Sequence, residues 1–184
     1  MPEPSSSEER QRNVWAPWRL EYIHQLAEGA DGCFLCRYRD DREHDEKNLL
    51  LWRGRRSLMV LNRFPYTGGH SLVAPFEHVA NLSDLDGETL CEMMEMLADA
   101  QQVLAHALRA EGFNVGMNIG RCAGAGLPGH LHVHIVPRWS GDTNFMSVFG
   151  GTRVISAALD ELYRQLRQAG EELRLPRAAR PEAP

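Results

Sequence analysis

From Gly129 to Val136 the chain reads Gly-His-Leu-His-Val-His-Ile-Val, with a histidine at every second position and an aliphatic residue between. In an extended strand successive side chains face opposite ways. His130, His132 and His134 are therefore predicted to share one face, while Leu131, Val133 and Ile135 lie against a core. Each imidazole has two ring nitrogens that need partners, so three on one strand are costly to bury without a use. A histidine-rich surface strand and a simple chelating patch are the plainer alternatives. Just before the strand lies a loop holding Gly120, Gly124, Gly126 and Gly129. Backbone N–H groups at glycines meet phosphate oxygens with no side chain in the way, which makes Gly124 and Gly126 candidate phosphate contacts. A neutral imidazole nearby can attack phosphorus if its other nitrogen is tied up, so that one tautomer is held.

A second feature is Cys33-Phe34-Leu35-Cys36. Two thiols separated by two residues suit one tetrahedral zinc whose remaining ligands arrive from elsewhere in the chain. A redox pair is the rival reading, although the strand-to-helix setting expected of one is missing from the pattern. Cys91 lies in a helical, apolar pattern and is assigned to packing. His44 and His106 read as surface residues.

Filling each position of His-x-His-x-His followed by two apolar residues, His130 to Val136 resembles the signature of the histidine-triad (HIT) nucleotide hydrolases and transferases. The likeness extends to Trp15-Ala16-Pro17-Trp18-Arg19, Asn118-Ile119-Gly120-Arg121, Pro137-Arg138-Trp139 and Gly141-Asp142-Thr143-Asn144-Phe145. It covers residues 13 to 168 and is similar to the bacterial branch that cleaves dinucleoside polyphosphates, such as diadenosine tetraphosphate, by hydrolysis or phosphorolysis. The resemblance implies His132 as the nucleophile that forms a nucleotidyl-histidine, with His134 hydrogen-bonding the phosphate. It implies Asn118 as a phosphate or nucleotide contact and Asn62 as a ribose contact. It further implies a structural zinc on Cys33, Cys36, His78 and His130, and a homodimer. Two unligated thiols with a solvated His78 remain the alternative to the zinc.

One departure stands out. Relatives often carry a glutamine and a Ser or Thr just before the triad, whereas this chain has Ala123-Gly124-Ala125-Gly126-Leu127-Pro128, without a hydroxyl. The leaving-group proton donor is thus unassigned, and Asp142, Thr143 and Asn144 are candidates for the missing polar contacts. Two other functions compete: hydrolysis of a nucleoside phosphoramidate or aminoacyl-nucleotide, and a zinc-stabilised nucleotide-binding module without turnover.

The elements that must position these residues follow from periodicity. Residues 49–53 and 58–62 read as a hairpin, 70–75 as a third strand, 113–118 as a fourth, and the triad as a fifth. From Asp84 to Glu111 the period changes, with Leu90, Met93, Met94, Leu97, Ala100, Leu104, Ala107 and Leu108 spaced as one face of a long helix. Ser83 or Asp84 is the expected N-cap and Gly112 the expected stop. A final helix is expected from Val154 to Gln168. The fold class is α+β: an antiparallel sheet of five strands with one long helix and a C-terminal helix. Residues 1–12 are expected to be a disordered tail and 13–168 one domain with an N-terminal arm and zinc-binding segment. Residues 169–184 are expected to be a flexible tail.

With 184 residues, 43% hydrophobic and 24% charged, the chain has the composition of one soluble domain. No apolar run approaches the ~18 residues of a membrane span. The polar start lacks the apolar centre of a signal peptide, which points to the cytosol. A net charge of −5 argues against sequence-independent nucleic-acid binding, yet a small polyanion needs only a local positive site. Arg63, Arg121 and Arg138 lie beside the apolar and histidine segments.

Overall fold

The structure, a computed structural model, describes residues 32–142 and 158–177. The expected tail and arm (1–31), Thr143, Asn144 and the expected first turn of the last helix lie outside them.

Five strands form one wholly antiparallel sheet: β1 (Leu50–Arg53), β2 (Ser57–Leu61), β3 (Ser71–Pro75), β4 (Gly112–Met117) and β5 (Val133–Arg138), in the order β1-β2-β3-β5-β4. The triad strand is therefore central, with Leu72 of β3 on one side of His134 and Gly116 of β4 on the other. Among the described residues three helices accompany the sheet: α1 (Phe34–Asp40), α2 (Gly87–Leu108) and α3 (Leu159–Leu173). Helix α2 packs on β2, β3 and β5, and its Met93, Met96, Leu97, Ala100, Val103 and Leu104 share one buried cluster with Val133 and Ile135. The aliphatic half of the alternating strand thus faces the core, as its period dictates, and leaves His134 to the opposite face.

Several details differ from the sequence reading. Asp86 caps α2 by accepting a hydrogen bond from the Thr89 N–H, while Ser83 and Asp84 sit in a preceding single turn. The helix ends on Arg109 in a left-handed conformation, and Gly112 instead opens β4. Met94 is 60% exposed and Cys91 is also exposed, so neither packs in the core. The helix is rotated so that Glu92 and Asp99 are buried in their place. Glu92 accepts from the Ser57 hydroxyl and the Arg56 N–H, and Asp99 from the Arg177 backbone and guanidinium. Helix α3 runs to Leu173, with Ala169 and Gly170 buried, so residues 169–173 are helical rather than part of a flexible tail. Helix α1 was not legible, because its seven residues are too few to show a period.

Candidate active site

The β5 ladder begins only at Val133, so His130 and His132 lie just ahead of it. The three histidines accordingly do not form a single row. His132 and His134 stand together, ring centroids 5.0 Å apart, while His130 is turned toward the two cysteines.

The His132 ring is buried, and its Nδ1 lies 2.8 Å from the backbone carbonyl of His130. A carbonyl only accepts, so Nδ1 carries the hydrogen and Nε2 keeps its lone pair. Burial pushes the His132 pKa below the ordinary histidine value, against the opposing pull of that hydrogen bond. The ring is therefore a neutral base with its tautomer fixed, the form required of a nucleophile toward phosphorus.

His134 is oriented by a residue that the sequence reading passed over. His70, just ahead of β3, is fully buried, with its Nε2 2.9 Å from His134 Nδ1. The backbone N–H of Tyr66 donates to His70 Nδ1 at 3.1 Å, and the Asn62 amide nitrogen is 3.3 Å from the same atom. Because Tyr66 N–H can only donate, His70 Nδ1 must accept and its Nε2 must carry the hydrogen. His134 Nδ1 then accepts, and a neutral His134 bears its own hydrogen on Nε2. The Tyr66 ring stacks on His70 at 4.6 Å. The available signal was a histidine directly after Gly68-Gly69 and immediately ahead of the largely apolar segment Ser71–Pro75. Gly69 has φ +82°, and a Cβ there would come within 2.5 Å of Leu108 Cδ1, so the turn that delivers His70 admits only glycine.

Asn62 is half-buried beside this pair, and its Oδ1 accepts the Phe64 N–H at 2.9 Å. Asn118 follows Met117, the β4 partner of Val133, so the strand register carries it toward His132. Its side chain makes no hydrogen bond among the described residues. In the glycine loop the Gly124 N–H closes a turn onto the Arg121 carbonyl, whereas the Gly126 N–H has no partner among the described residues. Of the three arginines, Arg63 is held by the Tyr38 hydroxyl and the Lys47 carbonyl, and Arg138 by Asp142 and Asn114. Arg121 is exposed and has no such partner among the described residues. Asp142, a candidate for the missing polar contact, is bound to the Arg138 guanidinium and the Trp139 N–H. Thr143 and Asn144 lie outside the described residues.

Cys33, Cys36, His78 and His130 bring their donor atoms within 4.8 Å of one another. Cys33 Sγ is 3.0 Å from His130 Nδ1, Cys36 Sγ is 3.2 Å from His78 Nδ1, and Cys36 Sγ is 3.5 Å from His130 Nδ1. A tetrahedral ion with ordinary zinc–sulfur and zinc–nitrogen bonds has ligand separations of about 3.5 Å, so the four donors fit one. His130 Nε2 donates to the Pro75 carbonyl at 2.9 Å, the outer hydrogen bond typical of a metal-bound histidine. Burial pushes the His130 pKa down to about 4, which keeps it neutral as a ligand must be. The Cys33 thiol is pushed up to about 11 by burial, a shift that a bound cation reverses. The set is closed, with four protein donors and no position for substrate.

Comparison with known proteins gives a consistent result. A model of the HIT domain matches residues 44–141. The chain is 36% identical over 160 residues to a protein named AP-4-A phosphorylase from Mycobacterium tuberculosis (strain CDC 1551 / Oshkosh), spanning 84% of this chain and 82% of that one. Over 93 residues it is 34% identical to the asymmetrical bis(5'-nucleosyl)-tetraphosphatase of Schizosaccharomyces pombe, which covers 50% of each. A solved structure of a Zn-bound histidine triad family protein from Mycobacterium smegmatis superposes with a TM-score of 0.64 at 26% identity, over 78% of this chain and 96% of that one.

Proposed function

We propose, from the premise that this chain belongs to the HIT domain family, that it cleaves dinucleoside polyphosphates, diadenosine tetraphosphate first among them, through a nucleotidyl-histidine on His132. The observation that carries this reading is the His132 ring, buried and neutral, with its Nδ1 hydrogen on the His130 carbonyl and its Nε2 lone pair unprotonated. In the first step Nε2 forms a bond to the α-phosphorus while the bond from that phosphorus to the bridging oxygen breaks. The remainder of the chain leaves as a nucleoside polyphosphate. His134, with its Nε2–H set by His70, donates to the phosphoryl oxygen on which charge develops. In the second step an oxygen of water or inorganic phosphate bonds to phosphorus, the nitrogen–phosphorus bond breaks, and His132 is regenerated.

Asn62, Asn118, Gly124, Gly126 and Asn144 make up the substrate-binding part of this reading, with Asn118 and the Gly126 N–H still uncommitted among the described residues. Cys33, Cys36, His78 and His130 hold a structural zinc, a reading supported by the fit of the donors and by the zinc in the M. smegmatis relative. Two copies form the working unit. Free thiol ligands suit a reducing compartment, so the cytosol is the proposed location; no helix among the described residues is long and apolar enough to cross a membrane.

The name of the M. tuberculosis relative favours phosphate as acceptor. Incubating the protein with diadenosine tetraphosphate, with and without inorganic phosphate, decides the matter: ADP plus ATP marks phosphorolysis, AMP plus ATP hydrolysis. His132→Ala should lower turnover by at least about a thousandfold while nucleotide binding survives. Unimpaired cleavage by that variant would refute the covalent mechanism.

A further inference from the structure

The metal cluster and the nucleophile meet in one peptide unit. The peptide between His130 and Leu131 offers its carbonyl to His132 Nδ1 at 2.8 Å and its N–H to the Val79 carbonyl at 2.6 Å. Val79 directly follows His78, and His130 supplies the carbonyl itself. The peptide that fixes the His132 tautomer is thus flanked by two histidines whose side chains converge on the same pair of thiols. The sheet does not hold it, because the β5 ladder starts at Val133 and β3 ends at Pro75. The segment from His78 to Ala80 is likewise irregular, and its imidazole is tied to Cys36.

Resting on the reading of His132 as nucleophile, we propose that the cluster is a positioning device for that residue: His78 and His130, drawn together with the thiols on one ion, lock the His130–Leu131 peptide and so hold His132 in its Nδ1–H tautomer. A closed four-ligand site next to the chemistry then acts on turnover without touching substrate. His130 and His78 are positioning residues in this scheme, the first through its own carbonyl and the second through the carbonyl of its neighbour. Because a hydrogen bond into a peptide group is strengthened when the other end of that group is bonded too, the Val79 contact and the His132 contact reinforce each other.

The test is to strip the ion from the full chain with a chelator and read three quantities: zinc per chain, the tautomer of His132 from long-range proton–nitrogen NMR of its ring, and kcat against KM. The expected result is a folded, metal-free chain in which His132 becomes a mixture of tautomers and kcat falls at least about tenfold, with KM changed less than about twofold. Readdition of zinc should restore both. A folded, metal-free chain that keeps the Nδ1–H tautomer and its kcat would overturn the proposal, as would a chain that binds no ion at all. Should stripping unfold the chain, the variant His78→Ala keeps three ligands and a bound ion while freeing Val79. The proposal then requires the same tautomer mixing at full zinc content, and an unchanged His132 signal would defeat it. The ring spectrum does not depend on which nucleotide is cleaved, so failure here is distinguishable from failure of the substrate assignment.

Discussion

A buried imidazole whose pKa is lowered stays unprotonated at a pH where a free one is already charged. For His132 the sign follows directly. Its Nε2 lone pair is available above its own pKa and lost below it, so the acid limb of kcat/KM should have its midpoint below the ordinary histidine value of about 6.5. A limb centred above that value would contradict the assignment of His132. His70 makes a different prediction. His70→Ala removes the donor to His134 Nδ1 and the ring nitrogen that accepts the Tyr66 N–H, so kcat should fall about 10- to 100-fold with little change in KM. The variant His70→Gln retains an N–H donor and should recover part of the loss, which a purely structural role would not produce. The candidate His132 was readable from the sequence because the alternation of histidine with aliphatic residues is strictly local. His70 was not, since its partner lies 64 residues away and only the pairing of β3 with β5 joins them.

Among the elements, the turn between β2 and β3 is tightly constrained. At Gly69 both the left-handed backbone and the packing of Leu104, Leu108 and Pro137 exclude a side chain. Gly69→Ala should therefore destabilise the domain by about 2–4 kcal/mol, read as a lower midpoint in urea with an unchanged slope. The strands and the long helix were legible because each repeats its period several times. Helix ends were less so, since a cap depends on one side chain reaching one N–H, and Asp86 competed with Ser83 and Asp84 within four residues. Buried acids are the other blind spot. Glu92 and Asp99 look like solvent-facing residues until Ser57 and Arg177, far off in sequence, are seen to answer them. The candidate metal set is intermediate: the Cys33–Cys36 spacing alone points to half of a tetrahedral site, the family resemblance adds His78 and His130, and the fold brings the four donor atoms within 4.8 Å of one another.

For the molecule as a whole, β4 is an edge strand among the described residues, and its sequence, Gly-Phe-Asn-Val-Gly-Met, carries neither charge nor proline. Val115 is 55% exposed on it, and Ile119 lies exposed just beyond. Such an edge is a template for pairing, and the proposed homodimer should form by β4 of one copy meeting β4 of the other. Val115→Lys should then shift the protein to a monomer in sedimentation while leaving its circular dichroism unchanged. A last consequence concerns time. The contact from Cys33 to His130 spans 97 positions of the chain. At ordinary rates of synthesis, about 5–20 residues per second, the thiols emerge from the ribosome roughly 5–20 s before the imidazole that completes their set. During that interval the proposed zinc site stands half built on the nascent chain, its two thiols exposed to oxidation and to other soft metal ions.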